Sequence, residues 1–383
     1  MKHLKKILRK MREHKQLTAL ILIILTGIVL NIISWTSSGF SDWYAGHIFP
    51  LWVNTYGRLT SLVPISVGEV LIIFGVVFLL FTVLILLPVL MLAFVKHRKK
   101  IKRIYLFTYG WIFAFILTVQ TLNCFILYHC STFGEVYDIP TSEHTDAQLI
   151  EVAEVLIERT NELSFDVKRD DEGHFVLTAD LDETAKEALR NLSDEFPRLG
   201  GYYVTPKKIK NSFFMSQQYL MGIYFPFTME ANYNQEMYEC NLPETVTHEL
   251  VHTKGFIFED EANFIAFLAC ARSDNKDYNY SGYLNTLKYV LGKVGEYCGE
   301  EKEDELYEKV NENVWLDITG NKKYWQDVQE SDEGLFDSKE VAEISDKAME
   351  TSLKINGVED GKRSYGRMVD LLLGYYYSNG KKV

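Results

Sequence analysis

The residues best suited to chemistry in this chain are Thr247-His248-Glu249-Leu250-Val251-His252. His248 and His252 stand four apart, and Glu249 directly follows the first, which is the HExxH spacing. On an α-helix, positions i and i+4 lie one turn apart on one face. Two imidazoles placed so can direct ring nitrogens at a single zinc ion (Zn2+). Glu249 falls beside the first ligand, where its carboxylate can serve as general base toward a water that the ion activates. The flanking sequence favours the required helix. Asn241-Leu242-Pro243-Glu244 predicts a helix start, with Asn241 as N-cap and Pro243 early. Leu250 and Val251 are apolar, as a buried active-site helix requires.

A catalytic zinc site takes three protein ligands and keeps one position open. Gly255, three residues after His252, can turn the chain sharply. Beyond it comes Glu259-Asp260-Glu261-Ala262-Asn263. Glu259 is the preferred third ligand and Glu261 the alternative; Asp260 would point to another face. Asn263 shares a helical face with Glu259 and could steady a carboxylate or a histidine Nδ1. Phe264, Ile265, Phe267 and Leu268 predict a second buried helix beside the first.

Three apolar runs precede this site: Leu17–Trp35, Val70–Val95 and Ile104–Tyr128. Each is long enough for a bilayer, which takes about 20 residues. No small-residue cleavage site follows the first, so it reads as a span rather than a signal peptide. Residues 1–130 hold 14 of the 40 Lys and Arg but three of the 52 Asp and Glu, so this segment is net +11 and the remainder net −23. The basic residues cluster from Lys2 to Lys15 and from Lys96 to Arg103, whereas Arg58 alone lies between the first two runs. The positive-inside rule puts both clusters in the cytoplasm and the chain after Tyr128 outside. Trp35, Trp43 and Trp52 suit the outer interface, and Glu69 would sit at the outer mouth of the second span. Residues 1–130 are thus expected to be a membrane segment in the lipid bilayer, and residues 131–383 an extracytoplasmic domain. The acidic balance of that domain excludes nucleic acid as partner, because phosphate would be repelled. A chain 47% hydrophobic and 24% charged is neither disordered nor collagen-like. Five cysteines without a CxxC pair make a thiolate zinc site unlikely. Outside the cytoplasm they could oxidise, with no pairing legible.

In the second half, Thr145–Leu163 has helical spacing through Leu149, Val152, Val155 and Leu156. Asp170-Asp171-Glu172-Gly173 predicts a hairpin turn, Thr184–Phe196 an amphipathic helix, and Tyr202–Lys210 a strand. Gly222–Thr228 reads as an edge strand, since Pro226 cannot donate to a ladder. Helices are expected over Ser281–Val294, Asp304–Leu316, Ser338–Ile355 and Tyr365–Tyr377. The fold class is therefore α+β, mostly helical.

At the motif the chain resembles the zincin metallopeptidases, specifically the gluzincin type with two histidines and a glutamate. Glu259 to Asn263 looks like the ExxA[DN] element that carries the third ligand there, which supports Glu259 over Glu261. From about residue 15 onward the chain also resembles an uncharacterised bacterial membrane-protein family, domain of unknown function 3810. The resemblance rests on the three spans, on Gly222-Ile223-Tyr224-Phe225-Pro226-Phe227-Thr228, Glu230-Ala231-Asn232, the HELVH helix with Glu259-Asp260-Glu261-Ala262-Asn263-Phe264, Tyr280-Ser281-Gly282-Tyr283 and Ser364-Tyr365-Gly366-Arg367-Met368-Val369-Asp370. It implies a zincin-like extracytoplasmic domain in which a peptide adds as a strand over the metal, with Gly222–Thr228 as that edge or as an ordinary core strand. Tyr365, Arg367 and Tyr283 are candidate oxyanion donors, though each also suits a packed helix.

The expected function is a membrane-anchored zinc-dependent hydrolase, a metallopeptidase acting on a peptide or protein outside the cytoplasmic membrane. His248, His252 and Glu259 would hold zinc, with Glu249 as base. The alternative is a non-enzymatic membrane sensor or assembly protein with a zinc-stabilised domain. A transport component ranks last, because the spans lack the buried ionisable residues it needs.

Overall fold

The structure, a computed structural model, describes residues 14–88, 98–141, 144–358 and 367–381. The chain forms two compact units, one of Met1–Phe49, Val67–Cys130 and Pro226–Thr228, the other of Pro50–Ser66, Ser131–Phe225 and Met229–Val383. The described residues are mostly helical, with one small sheet.

In the first unit, α1 (Lys15–Thr36), α2 (Val67–Phe81) and α3 (Arg98–Gln120) carry the three apolar runs. The stretches Lys15–Thr36, Val67–Leu86 and Lys100–His129 are long and apolar enough to cross a membrane. Their large side chains face outward: Phe74 is 65%, Leu84 67% and Phe115 59% exposed. So much bare hydrocarbon is untenable in water and ordinary in lipid, which marks a membrane protein. Between α1 and the end of α3, Asn31 donates through Nδ2 to Thr121 Oγ1 at 2.7 Å and to Gly27 O at 2.8 Å. The far end of the expected second span, residues 89–95, lies outside the described residues, as do Lys96 and the basic residues before Glu13.

In the second unit, polar side chains start the helices by accepting from free backbone N–H groups. Thr145 and Gln148 form a capping box on α4 (Asp146–Leu163), and Asp180 caps α5 (Leu181–Asn191). Asp180 moves the start of α5 three residues ahead of the expected Thr184, and the helix ends short of Phe196. The sheet has the order β1-β3-β2. Its strands are β1 (Lys207–Ile209), β2 (Gly222–Phe225) and β3 (Glu230–Asn234); β1 runs parallel and β2 antiparallel to β3. The expected 202–210 strand thus shrinks to three residues, and β2 is an edge strand that stops just before Pro226.

The central layer is α6 (Leu242–His252), α7 (Glu259–Ala271) and α8 (Lys276–Cys298). Residues Asp260 to Cys270 of α7 are all buried, so the helix is apolar nearly all round and needs neighbours on every side. After α8 the expected Asp304–Leu316 helix is two helices, Glu300–Tyr307 and α9 (Glu312–Glu330). Asn311 causes the break, because its side-chain oxygen accepts from Val314 N at 2.9 Å while its Nδ2 donates to Ser164 Oγ at 2.8 Å. α10 (Ser338–Ile355) matches its expected bounds, and α11 (Arg367–Ser378) follows the residues that would hold Tyr365, which lies outside the described set.

The expected 170–173 hairpin is a turn with one isolated bridge, Arg169 to Phe175. The backbone there is claimed by a buried carboxylate instead. Asp317 accepts from Phe175 N at 3.2 Å, from Arg169 Nη2 at 2.9 Å and from the Tyr280 hydroxyl. Asp317→Ala should lower unfolding free energy by about 3–5 kcal/mol, the cost of stranding a buried charge. Lys309→Ala, which breaks an exposed pair with Glu154, should change it by less than about 1 kcal/mol. Denaturant unfolding of the purified chain measures both.

Candidate metal centre

Along α6, Val246, Leu250 and Val251 are completely buried, which fixes the helix rotation. His248, Glu249 and His252 are then carried together on the remaining surface. Asn241 does not cap this helix. A 3-10 turn over Glu239–Asn241 runs straight into it, and Asn241 Nδ2 donates to Asn321 Oδ1 at 2.9 Å. Ser281 Oγ meets the free Glu244 N–H instead, at 3.2 Å. Proline stands in the first turn as expected.

The helix closes at His252. Gly255 has φ +84°, a left-handed conformation that glycine adopts freely, and its N–H donates to His252 O at 2.9 Å. This turn brings Phe256 O to 2.8 Å from His252 Nδ1. With Nδ1 donating to that carbonyl, Nε2 carries the lone pair and faces the site. Three residues later Glu259 opens α7, where the helix dipole favours a carboxylate.

The three expected ligands converge. His248 Nε2 lies 3.0 Å from His252 Nε2 and 3.1 Å from Glu259 Oε2, and His252 Nε2 lies 3.8 Å from the same oxygen. Among the described residues this is the one such cluster of three or more His, Cys, Asp or Glu. Tetrahedral ligands about 2.1 Å from zinc lie roughly 3.4 Å apart, so the observed separations bracket the value an ion needs. The 3.0 Å approach of the two ring nitrogens suits an N–H···N hydrogen bond between the imidazoles, and equally a shared cation. Burial would lower the His248 pKa, but Glu259 overrides it and raises it to about 9. Burial would raise Glu259, but the neighbouring imidazoles, His248 foremost, hold it well below the carboxylate range.

Glu249 lies beside this cluster and is 5% exposed. Burial, the dominant effect, raises its pKa to about 7 against the pull of both histidines. Its Oε2 is buried without a hydrogen-bond partner. Its Oε1 is pressed against the edge strand: a Cβ at Gly222 would fall 2.3 Å from it. No other amino acid fits there unless the carboxylate moves. On the same strand, the Tyr224 ring centroid lies 6.2 Å from that of His252.

Other expected positions lie elsewhere. Glu261 is not among the ligands; its Oε1 accepts Phe133 N–H at 2.5 Å, and burial followed by Asp260 raises its pKa to about 8. Asn263 supports neither histidine nor carboxylate, since its buried Nδ2 has no partner and the Phe256 carbonyl already holds His252. Tyr283 packs edge-on against Phe267 at 5.4 Å in the core. Arg367 donates through Nε to Asp260 Oδ2 at 3.0 Å. Glu69 is in the first turn of α2.

Two further residues bear on the centre. Glu244, buried one turn before His248, feels that histidine's charge, and burial raises its pKa. Its i, i+4 spacing was readable beside HExxH. Tyr289 on α8 is raised by burial and then by the charges of Glu244 and Glu259. No local pattern points to it, since α8 returns to the site only in the fold.

A family model described as Protein of unknown function (DUF3810) matches residues 44–373. The chain belongs to this family. The matched region contains the whole His-His-Glu cluster, Glu249 and Gly222. No curated protein matches the chain, and no solved structure does.

Metal analysis of the purified chain should find one zinc per molecule. His248→Ala and Glu259→Ala should each reduce this below a tenth, because two donors hold zinc poorly. Glu261→Gln, which still accepts from Phe133 N–H, should keep the full content.

Proposed function

We propose that this DUF3810 protein is a membrane-anchored, zinc-dependent metallopeptidase of zincin type, acting outside the cytoplasmic membrane. The observation that carries the reading is the convergence of His248, His252 and Glu259 beside a buried carboxylate with a free oxygen. A zinc ion held there would supply a Lewis acid that polarises a carbonyl and makes water acidic near neutral pH.

The remaining work belongs to the chain. Glu249, buried beside the cluster with one oxygen unbonded, takes a proton from the attacking water and returns it to the departing amine. Gly222, having no Cβ, leaves the space that this carboxylate occupies. β2 is the outer strand of the sheet order, and an extended peptide would add beside it as a fourth strand, close to Glu249. That geometry favours an extended polypeptide over a compact small molecule. The clusters of Lys and Arg flanking the spans support an extracytoplasmic placement of the second unit. A reporter fused after Val383 should be active only outside the cytoplasm.

Glu249→Gln should keep zinc and lose hydrolysis of a peptide library by more than a hundredfold, the scale of a lost general base. Gly222→Ala should also keep zinc and lower kcat about a hundredfold by displacing the same carboxylate. If the wild-type chain binds zinc and cleaves nothing, and chelation unfolds the domain, the protein is a zinc-stabilised sensor or assembly factor instead.

A further inference from the structure

We infer that Phe133 is a positioning residue for the metal centre, through which the segment following the third span is built into the site. The inference rests on the metal-centre reading above. Phe133 follows His129, the last residue of the third apolar stretch, by four positions. A capping box sets it in place: Glu135 Oε2 accepts Thr132 N–H at 2.8 Å, and Thr132 Oγ1 accepts Glu135 N–H at 3.3 Å. The residue is 1% exposed.

From there Phe133 touches both chain segments that carry the ligands. Its ring meets Phe256 edge-on, with centroids 5.6 Å apart. Phe256 is the residue whose carbonyl holds His252 Nδ1. Its ring also meets Phe264 of α7 edge-on at 5.8 Å. Its backbone N–H donates to Glu261, two residues past the ligand Glu259. One side chain and one amide therefore brace the turn behind His252 and the first turns of the helix behind Glu259. Without them the Phe256 ring keeps the Arg198 guanidinium, 4.2 Å over its centroid, but its carbonyl is less firmly placed against His252 Nδ1. Lifting the 131–136 segment off the domain would loosen the grip on the ion.

The test compares full-length variants purified in detergent. Zinc affinity is measured by competition with a chelator, the cobalt-substituted absorption spectrum reports ligand geometry, and thermal unfolding reports stability. Val152→Ala, a core truncation in α4, is the control for destabilisation alone. Phe133→Ala should weaken zinc binding at least about tenfold, as loss of a residue orienting a ligand does, and shift the cobalt spectrum. Val152→Ala should lower the melting temperature and alter neither. If Phe133→Ala does not fold, Phe133→Leu keeps apolar volume while losing the ring contact with Phe256, and should show the same affinity loss. Wild-type affinity and spectrum in the folded Phe133 variant would overturn the inference and leave the metal centre standing. A wild-type chain that binds no zinc would overturn both.

Discussion

Holding two histidines and two glutamates together in an apolar layer is costly, because buried charge loses its hydration. Glu249 and His252 are buried, and Glu259 is largely so. Much of the surrounding architecture offsets that cost. His252 is satisfied at Nδ1 by the Phe256 carbonyl, and Glu259 Oε2 pairs with His248 Nε2 at 3.1 Å. Glu249 is the exception, with one oxygen left without a partner. An unpaired carboxylate oxygen is destabilising in a core and useful in a site that must accept a proton. The layer tolerates it because α7, buried on all sides between neighbours, supplies ample apolar burial to compensate.

The site was legible in the sequence to the extent that it is local. His248, Glu249 and His252 share one helix, and Gly255 and Glu259 follow within seven residues, so helix periodicity and one turn specify their geometry. What sequence reading missed comes from distant segments. Gly222 reaches Glu249 across the sheet, Tyr289 comes from α8, and Phe133 comes from the stretch after the third span. None has a spacing relation to the motif. The error at Asn263 has the same origin. Its face was read correctly, but a main-chain carbonyl, which has no residue signature, had already taken the histidine nitrogen.

Elsewhere, agreement depended on whether a side chain or a backbone decided the boundary. Hydropathy marked all three apolar helices, closely for the first and third and over the described part of the second. The start of α10 was readable at Ser338, just after its Asp337 cap. The split at Asn311 and the collapse of the 170–173 hairpin were not. In both, a polar side chain bonds to groups more than 140 positions away, Asn311 to the Asn161 carbonyl and the Ser164 hydroxyl, and Asp317 to the Phe175 N–H. Such bonds override local propensity without altering it.

The opening turn of α7 shows how helix geometry divides labour among identical charges. Glu259, Asp260 and Glu261 are consecutive acids at one helix N-terminus, where the dipole favours all three. Each residue turns the side chain by about 100°, so the three point into different surroundings. Glu259 faces the histidines, Asp260 meets Arg367, and Glu261 receives the amide of Phe133. A one-residue shift in where α7 begins would exchange these partners. It would put a carboxylate other than Glu259 opposite the two histidines. The seven-residue interval from His252 to Glu259 therefore has to be exact, and the left-handed turn at Gly255 is what makes so short a connection reach.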